Sequence, residues 1–382
     1  MGMDRMSVVL AVNAGSSSLK MALHERSAEA KRLASGVLKL PEGQRLVDLV
    51  EPLLTQLLAQ AGGISPSQIE AIGHRIVHGG ESLSASVIFD AATERELEVC
   101  SMLAPLHNPP ALEALRALAA QLPGLPQACV FDTAYYSTLP ESEVVLPLPY
   151  SWYAEWRIRR FGFHGISHAH MATRAAALCP PGEQKGFRVI SLHLGAGCSA
   201  TASLDGKAAA TTMGYTPMDG LMMATRPGAL DPGVLIAVLK QRRLTVEQLE
   251  NELLHGSGLK GVSGSSGDYR MLDEAAAGGD SRAALALTLF SNRVREQIGA
   301  FYARLGGAEA IVFSGGIGEN SAKLRAEVCC GLESMGIKLD SQANAAAQGE
   351  YKVSLPHSTP TVLVVPADEE RFVAKETIAL CR

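Results

Sequence analysis

Two stretches of this chain follow one plan, and that repetition narrows the possible folds more than any other feature. Residues 7–23, "SVVLAVNAGSSSLKMAL", are an apolar run, a polar Gly/Ser turn and a second strand-like run. They read as a β-hairpin with its tip at Asn13–Ser17. Residues 188–212, "RVISLHLGAGCSATASLDGKAAATT", give strand, Gly-rich turn, strand, Asp-Gly turn, strand. The echo suggests two halves of related design. Amphipathic helices such as "LVDLVEPLLTQLLAQAG" and "ALEALRALAAQL" alternate with short strands. "QACVFDTAYY" is a strand whose end carries Asp132, and "TVLVVPADEERFVAKETIAL" is a strand followed by a helix beginning near Asp368. The class is α/β. A length of 382 residues predicts two domains, and the proline-rich segment 139–153 is the candidate junction.

Composition excludes several functions. A net charge of -5 argues against a nucleic-acid partner. The seven cysteines are odd in number and show no framework spacing, which predicts reduced thiols in a cytoplasmic protein. "MGMDRM" lacks the apolar core of a signal peptide, and no apolar run is long enough to span a membrane.

The segment "RRFGFHGISHAHM" holds His164, His168 and His170. Ser167 is the expected helix N-cap, with helix following it. His168 and His170 then lie about 200° apart around the axis and cannot join His164 on one metal ion. His168 is expected to be structural and His170 solvent-facing. His164 precedes the cap, in a tight loop suited to reaching a ligand.

Three Gly-rich turns, "NAGSSS", "HLGAGCS" and "SGGIGEN", stand at strand ends. The G-x-G-x-x-A of residues 195–200 leads into a hairpin instead of a helix, which rules out a dinucleotide fingerprint. No Walker A spacing is present. Repeated turns with exposed backbone N–H groups favour a nucleotide bound between two lobes.

The motifs "VNAGSSSLK", "GHRIVHGGE", "APLHNPPALEA", "VFDTAYYSTLP", "FGFHGISH", "LHLGAGCS", "MGYTPMDGLMMATRPGALDP", "GVSGSSGDYR", "FSGGIGENS" and "VVPADEE" occur in this order. Together they resemble the acetate kinase family, which includes propionate kinases. The resemblance runs from about residue 8 to residue 375. It implies two domains of related actin-like, ribonuclease H-like fold with a nucleotide cleft between them. The expected boundaries are 1–149 plus 370–382 for the N-terminal domain and 150–369 for the nucleotide-binding domain. It also implies a cytoplasmic homodimer that makes acetyl phosphate and ADP from acetate and ATP, reversibly and with Mg²⁺, for which Mn²⁺ can substitute.

The resemblance assigns residues as well. Arg75, Asp132, His164 and Arg226 form the catalytic set. Two arginines grip the carboxylate and the moving phosphoryl group. His164 donates a hydrogen bond to that group, and Asp132 orients Arg75 or a magnesium-bound water. The acyl group meets Val77, Leu106, Phe163 and Pro217. The nucleotide lies on Lys20, His193, Gly195, Ala196, Gly197, Asp268, Arg270, Gly316, Ile317, Gly318 and Asn320, with Ser321 capping the following helix. Asn13 and Glu369 contact the metal. Many family members carry Asn where this chain has Ala196, and Asn where it has Asp368. A propionate kinase is the neighbouring alternative. A non-catalytic ATP-binding scaffold is the alternative from another class, and it needs neither arginine.

Overall fold

The computed structural model describes residues 6–15, 17–41, 43–105, 107–180 and 186–382. Leu106 lies outside the described residues. In the first half, β1 (Val8–Ala14), β2 (Ser18–Glu25), β3 (Arg32–Lys39), β4 (Ile69–Ile76), β5 (Val87–Ile88) and β6 (Gln127–Phe131) build one sheet. In the second, β7 (Arg188–Leu194), β8 (Cys198–Leu204), β9 (Lys207–Thr211), β10 (Ala310–Ser314), β11 (Tyr351–Lys352) and β12 (Thr361–Val364) build another. Their orders are β3-β2-β1-β4-β6-β5 and β9-β8-β7-β10-β12-β11 read from the meander side. In each, three antiparallel strands lead to two parallel ones, and a two-residue strand closes the far edge antiparallel. The two hairpins seen in the sequence are therefore the same part of one topology used twice.

The chain divides into two compact units. One comprises Met1–Ser137, Phe163–His170 and Asp368–Arg382, the other Thr138–Gly162 and Met171–Ala367. This division differs from a boundary at 149/150. The proline-rich segment lies wholly in the second unit, and the chain returns briefly to the first for Phe163–His170. The helix Gly165–Leu178 begins in the first unit and ends in the second.

In the first unit both sheet faces are covered. Side chains alternate along a strand. Val8, Leu10 and Val12 of β1 therefore pack with Leu53 and Leu57 of the helix Val50–Gln60 and with Leu118 of the helix Asn108–Gln121. Val9 and Ala11 face the other way, with Ala71, Val130 and Ile166, against Val373 and Ala374 of the helix Glu369–Leu380. The same parity continues to Asn13 on β1, to Gly73 and Arg75 on β4, and to Asp132 just past β6. Polar residues thus appear on one face, at the carboxyl ends of parallel strands.

The terminal helix approaches this face closely because Gly73 has no side chain. A Cβ there would lie 2.1 Å from Thr377 Oγ1 and 2.7 Å from Val373 Cγ1. Gly73→Val should therefore lower stability by about 1–3 kcal/mol through overpacking. Thermal unfolding checks this, and an unchanged midpoint would refute the packing argument.

Three histidines of this unit, His24, His74 and His78, are at most 1% exposed. Burial pushes each down from 6.5 to about 4, with Arg32 adding to the effect at His24 and the acceptor Gln127 Oε1, bonded to His74 Nε2, opposing it at His74. In the unfolded chain they take up protons first. Stability is therefore complete above pH 6.5 and falls as pH drops toward 4. Each histidine contributes up to about 3 kcal/mol to that loss. Urea unfolding across this range should show a steep decline, weakened in His74→Gln. Stability independent of pH across the window would contradict it.

Candidate active site

Strand parity and the terminal helix bring Arg75, Asp132, Glu369 and Asn13 together. Arg75 Nε donates to Asp132 Oδ1 at 3.1 Å and Nη2 to Oδ2 at 2.7 Å, a bidentate fork. Arg75 Nη1 donates to Glu369 Oε2 at 2.7 Å, and Asn13 Nδ2 reaches the same oxygen at 3.4 Å. The side chains of Arg75, Asp132 and Glu369 are 16%, 1% and 14% exposed. Burial disfavours charge on Arg75, but Asp132 and Glu369 outweigh it and raise its pKa. Burial raises the Asp132 carboxyl, while the Arg75 fork and the backbone N–H of His164 oppose the rise.

His164 enters through its backbone first. It adopts φ 58°, a left-handed conformation uncommon for a side-chain-bearing residue. The next N–H, of Gly165, donates to the Asp132 carbonyl at 2.9 Å. A Cβ on Gly165 would lie 2.0 Å from that oxygen, so the contact requires glycine. The turn is thereby fastened to the strand end that presents Asp132. It also starts the helix at Gly165, three residues earlier than a cap at Ser167 implies; Ser167 is buried in the first turn. His168 is fully buried, with its ring edge-on to Tyr136 at 6.5 Å. His170 is half-buried, not solvent-facing as the sequence suggested, because the helix runs on into packed structure.

Phe163 is 1% exposed, edge-on to the His78 ring at 5.5 Å, and its carbonyl accepts from the Tyr136 hydroxyl at 2.8 Å. Val77, directly after β4, is half-buried. Lys20 is exposed on β2, directly across from Asn13. It belongs to the first unit, and the other expected nucleotide residues belong to the second.

Those others lie in the second unit. A cavity of about 600 Å³ is lined by Gly195, Ala196, Ala224, Gly267, Asp268, Tyr269, Arg270, Asp273, Glu274, Gly316, Ile317, Asn320 and Ser321. Its size suits a small-molecule ligand. It forms where β7 and β10 end side by side, with His193 paired to Ser314. A Cβ on Gly195 would lie 3.9 Å from both Gly316 N and His193 Nε2, so the two Gly-rich turns nearly touch. Gly315 turns with φ +81°, and a Cβ there would meet the Leu194 carbonyl at 2.7 Å. Gly197 and Gly318 do not line the cavity. The Gly197 carbonyl accepts from Gly195 N–H at 3.1 Å, and the Gly318 carbonyl from buried Arg325 at 2.8 Å.

Asp268 caps the helix Tyr269–Ala277, accepting from Arg270 N at 2.9 Å and Met271 N at 3.3 Å. The Met271 bond in particular holds its carboxyl below the usual range. The Arg270 side chain is 86% exposed at the rim. Ser321 caps the helix Ala322–Cys329 through Leu324 N at 3.1 Å. Arg226 and Pro217 occupy the irregular segment after β9, joined by Arg226 Nη1 to the Pro217 carbonyl at 2.8 Å. Burial lowers the Arg226 pKa. Sequence reasoning passed over Glu319, whose Oε1 accepts from Gly315 N at 2.9 Å and Ala367 N at 2.8 Å. The motif "GGIGEN" displayed it, but spacing alone gave no partner.

The donor set suits a divalent cation. Two carboxylates face one guanidinium, leaving one net negative charge among Asp132, Glu369 and Arg75. An amide and a carboxylate converge at 3.4 Å, and turning the Asn13 amide would present its oxygen. One or two protein oxygens with waters completing the shell is how Mg²⁺ is commonly held.

The sequence pattern described as the Acetokinase family matches residues 42–375. An acetate kinase of Methanosarcina acetivorans is 40% identical over 98% of this chain and 97% of its own length. One from Geobacillus kaustophilus is 41% identical over 98% and 99%. Among solved structures, Porphyromonas gingivalis acetate kinase aligns with TM-score 0.91 and 37% identity, covering 98% of this chain and 100% of that one. A propionate kinase from Francisella tularensis aligns with TM-score 0.89 and 35% identity, covering 98% and 100%. With the family pattern matched over most of the chain and relatives this similar along nearly its whole length, the protein belongs to the acetokinase family.

Proposed function

We propose that this protein is an acetate kinase that passes the γ-phosphoryl group of ATP directly to acetate, giving acetyl phosphate and ADP, and runs in both directions. The observation that carries the reading is the guanidinium of Arg75 locked between Asp132 and Glu369. Acetate has a pKa of about 4–5 and is already ionised at neutral pH, so no base is needed. What the reaction needs is fixed positive charge, alignment and exclusion of water. Arg75 has five N–H donors, and three are engaged, leaving two for a carboxylate or phosphoryl oxygen. Asp132 sets the plane of that fork. Arg226, with one donor engaged by the Pro217 carbonyl, supplies the second clamp. His164 donates to the transferring group.

The cavity lined by Gly195, Ala196, Gly316 and Asn320 takes the nucleotide, its turn N–H groups meeting the phosphates. Asp268 and Arg270 flank the nucleoside end. Glu369 and Asn13 hold Mg²⁺, which neutralises phosphate charge and offsets the cluster's net negative charge. Val77, Leu106, Phe163 and Pro217 enclose the methyl group; bulky Val77 favours acetate over propionate. The protein acts as a homodimer in the cytoplasm.

The test is hydroxamate formation from ATP, Mg²⁺, hydroxylamine and each of three acids. Acetate should react best. Propionate should be about 10–200-fold less efficient, and butyrate very poor. Arg75→Ala should lower kcat by roughly 10³ with acetate, and Arg75→Lys should recover little of it because lysine lacks the fork. Equal or better efficiency with propionate would reassign the substrate. Undiminished turnover in Arg75→Ala would remove the arginine from the mechanism.

A further inference from the structure

β10 and β12 run parallel, and their last shared backbone rung is Val365 N–H to the Phe313 carbonyl at 3.0 Å. Pro366 follows and has no N–H to give. The next available donor is Ala367 N–H, and it goes to a side chain, Glu319 Oε1, at 2.8 Å. The same oxygen takes the N–H of Gly315 at 2.9 Å. Gly315 is buried and conformationally constrained at φ +81°. Its N–H could not lose this acceptor without cost. One carboxylate oxygen therefore pins two chain segments just beyond the sheet, where the ladder has ended.

Each segment leads into the site. Gly315 opens the short helix Gly315–Asn320, in whose turns Gly316, Ile317 and Asn320 line the cavity. Ala367 is the last residue of the second unit before the chain crosses to Asp368. Two residues later comes Glu369, which accepts from Arg75 Nη1 at 2.7 Å.

We propose that Glu319 is a positioning residue that sets the cavity-lining turn beginning at Gly315 in register with the segment ending at Ala367. This deepens the reading given under Proposed function and rests on its assignment of that turn to nucleotide phosphates. Glu319 acts through backbone placement and touches no reacting atom. Reach and acceptor geometry matter to this role, and negative charge does not. Gln keeps the Oε1 acceptor at the same distance. Asp keeps the charge but falls one methylene short.

The test compares Glu319→Gln, Glu319→Asp and Glu319→Ala in the full-length protein. The measurements are kcat and KM for ATP and for acetate, the Kd for ADP by calorimetry, and Tm. In Asp and Ala, kcat/KM for ATP should fall about 10–100-fold and ADP should bind more weakly, while KM for acetate stays unchanged. Gln should stay close to wild type in each. If Ala does not fold, the Gln and Asp pair decides. Asp performing as well as Gln would overturn the proposal, as would a folded Ala variant with wild-type ATP kinetics and ADP affinity. Should the wild type fail to make hydroxamate, the assigned reaction fails, and the ranking of ADP affinities still tests Glu319.

Discussion

A guanidinium held between two carboxylates, all three largely out of water, governs the placement of everything around it. Removing such charges from solvent costs several kcal/mol per ion. That cost is recovered only if the partners are held in good geometry, so each element bearing one must be firmly placed. β4 supplies Arg75, the end of β6 supplies Asp132, and the helix Glu369–Leu380 supplies Glu369. Gly73 lets that helix settle on the sheet, and the backbone of the His164 turn fastens onto Asp132. The guanidinium is thereby held by two carboxylates through three hydrogen bonds.

The two sheets share one topology and differ in what they present at their strand ends. In the first, the parallel strands end in Asn13, Arg75 and Asp132, which are side-chain charge and hydrogen-bonding groups. In the second, β7 ends in a glycine-rich turn and β10 in the glycine-rich helix Gly315–Asn320, and the two line a cavity. One topology thus carries charged side chains at its strand ends in one unit and a glycine-lined cavity in the other. Ligand sites at the carboxyl ends of parallel strands are the general habit of α/β sheets.

Much of the fold was legible from local pattern. The hairpins Val8–Glu25 and Arg188–Leu204 announced themselves by apolar runs around Gly/Ser turns, and Asp132 by its place after an apolar run. The two-residue edge strands Val87–Ile88 and Tyr351–Lys352 are too short to carry a period. Ser167 misled because its N-cap preference is a local propensity. A tertiary contact, Gly165 N–H to the Asp132 carbonyl, overrode it. The return of Phe163–His170 to the first unit was invisible for the same reason. Residue roles came mainly from the ordered motifs. No spacing rule says that positions 13, 75, 132 and 369 meet; sheet parity and the terminal helix bring them together. Glu319 stayed hidden because its meaning lies in two backbone groups far apart in the sequence.

In the proposed reaction Asp132 works by fixing Arg75 and not by accepting a proton. The most direct measurement is kcat for acetate phosphorylation by Asp132→Asn at saturating ATP, from pH 6 to 9, in protein shown to be folded. Asn retains the shape but loses the charge and one acceptor of the fork. The kcat should fall about 10–100-fold, by a factor that does not vary with pH, because no proton transfer has been removed. A loss that shrinks steadily as pH rises would mark Asp132 as a base, and wild-type kcat would show that Arg75 needs no fixing. Either result would contradict the account.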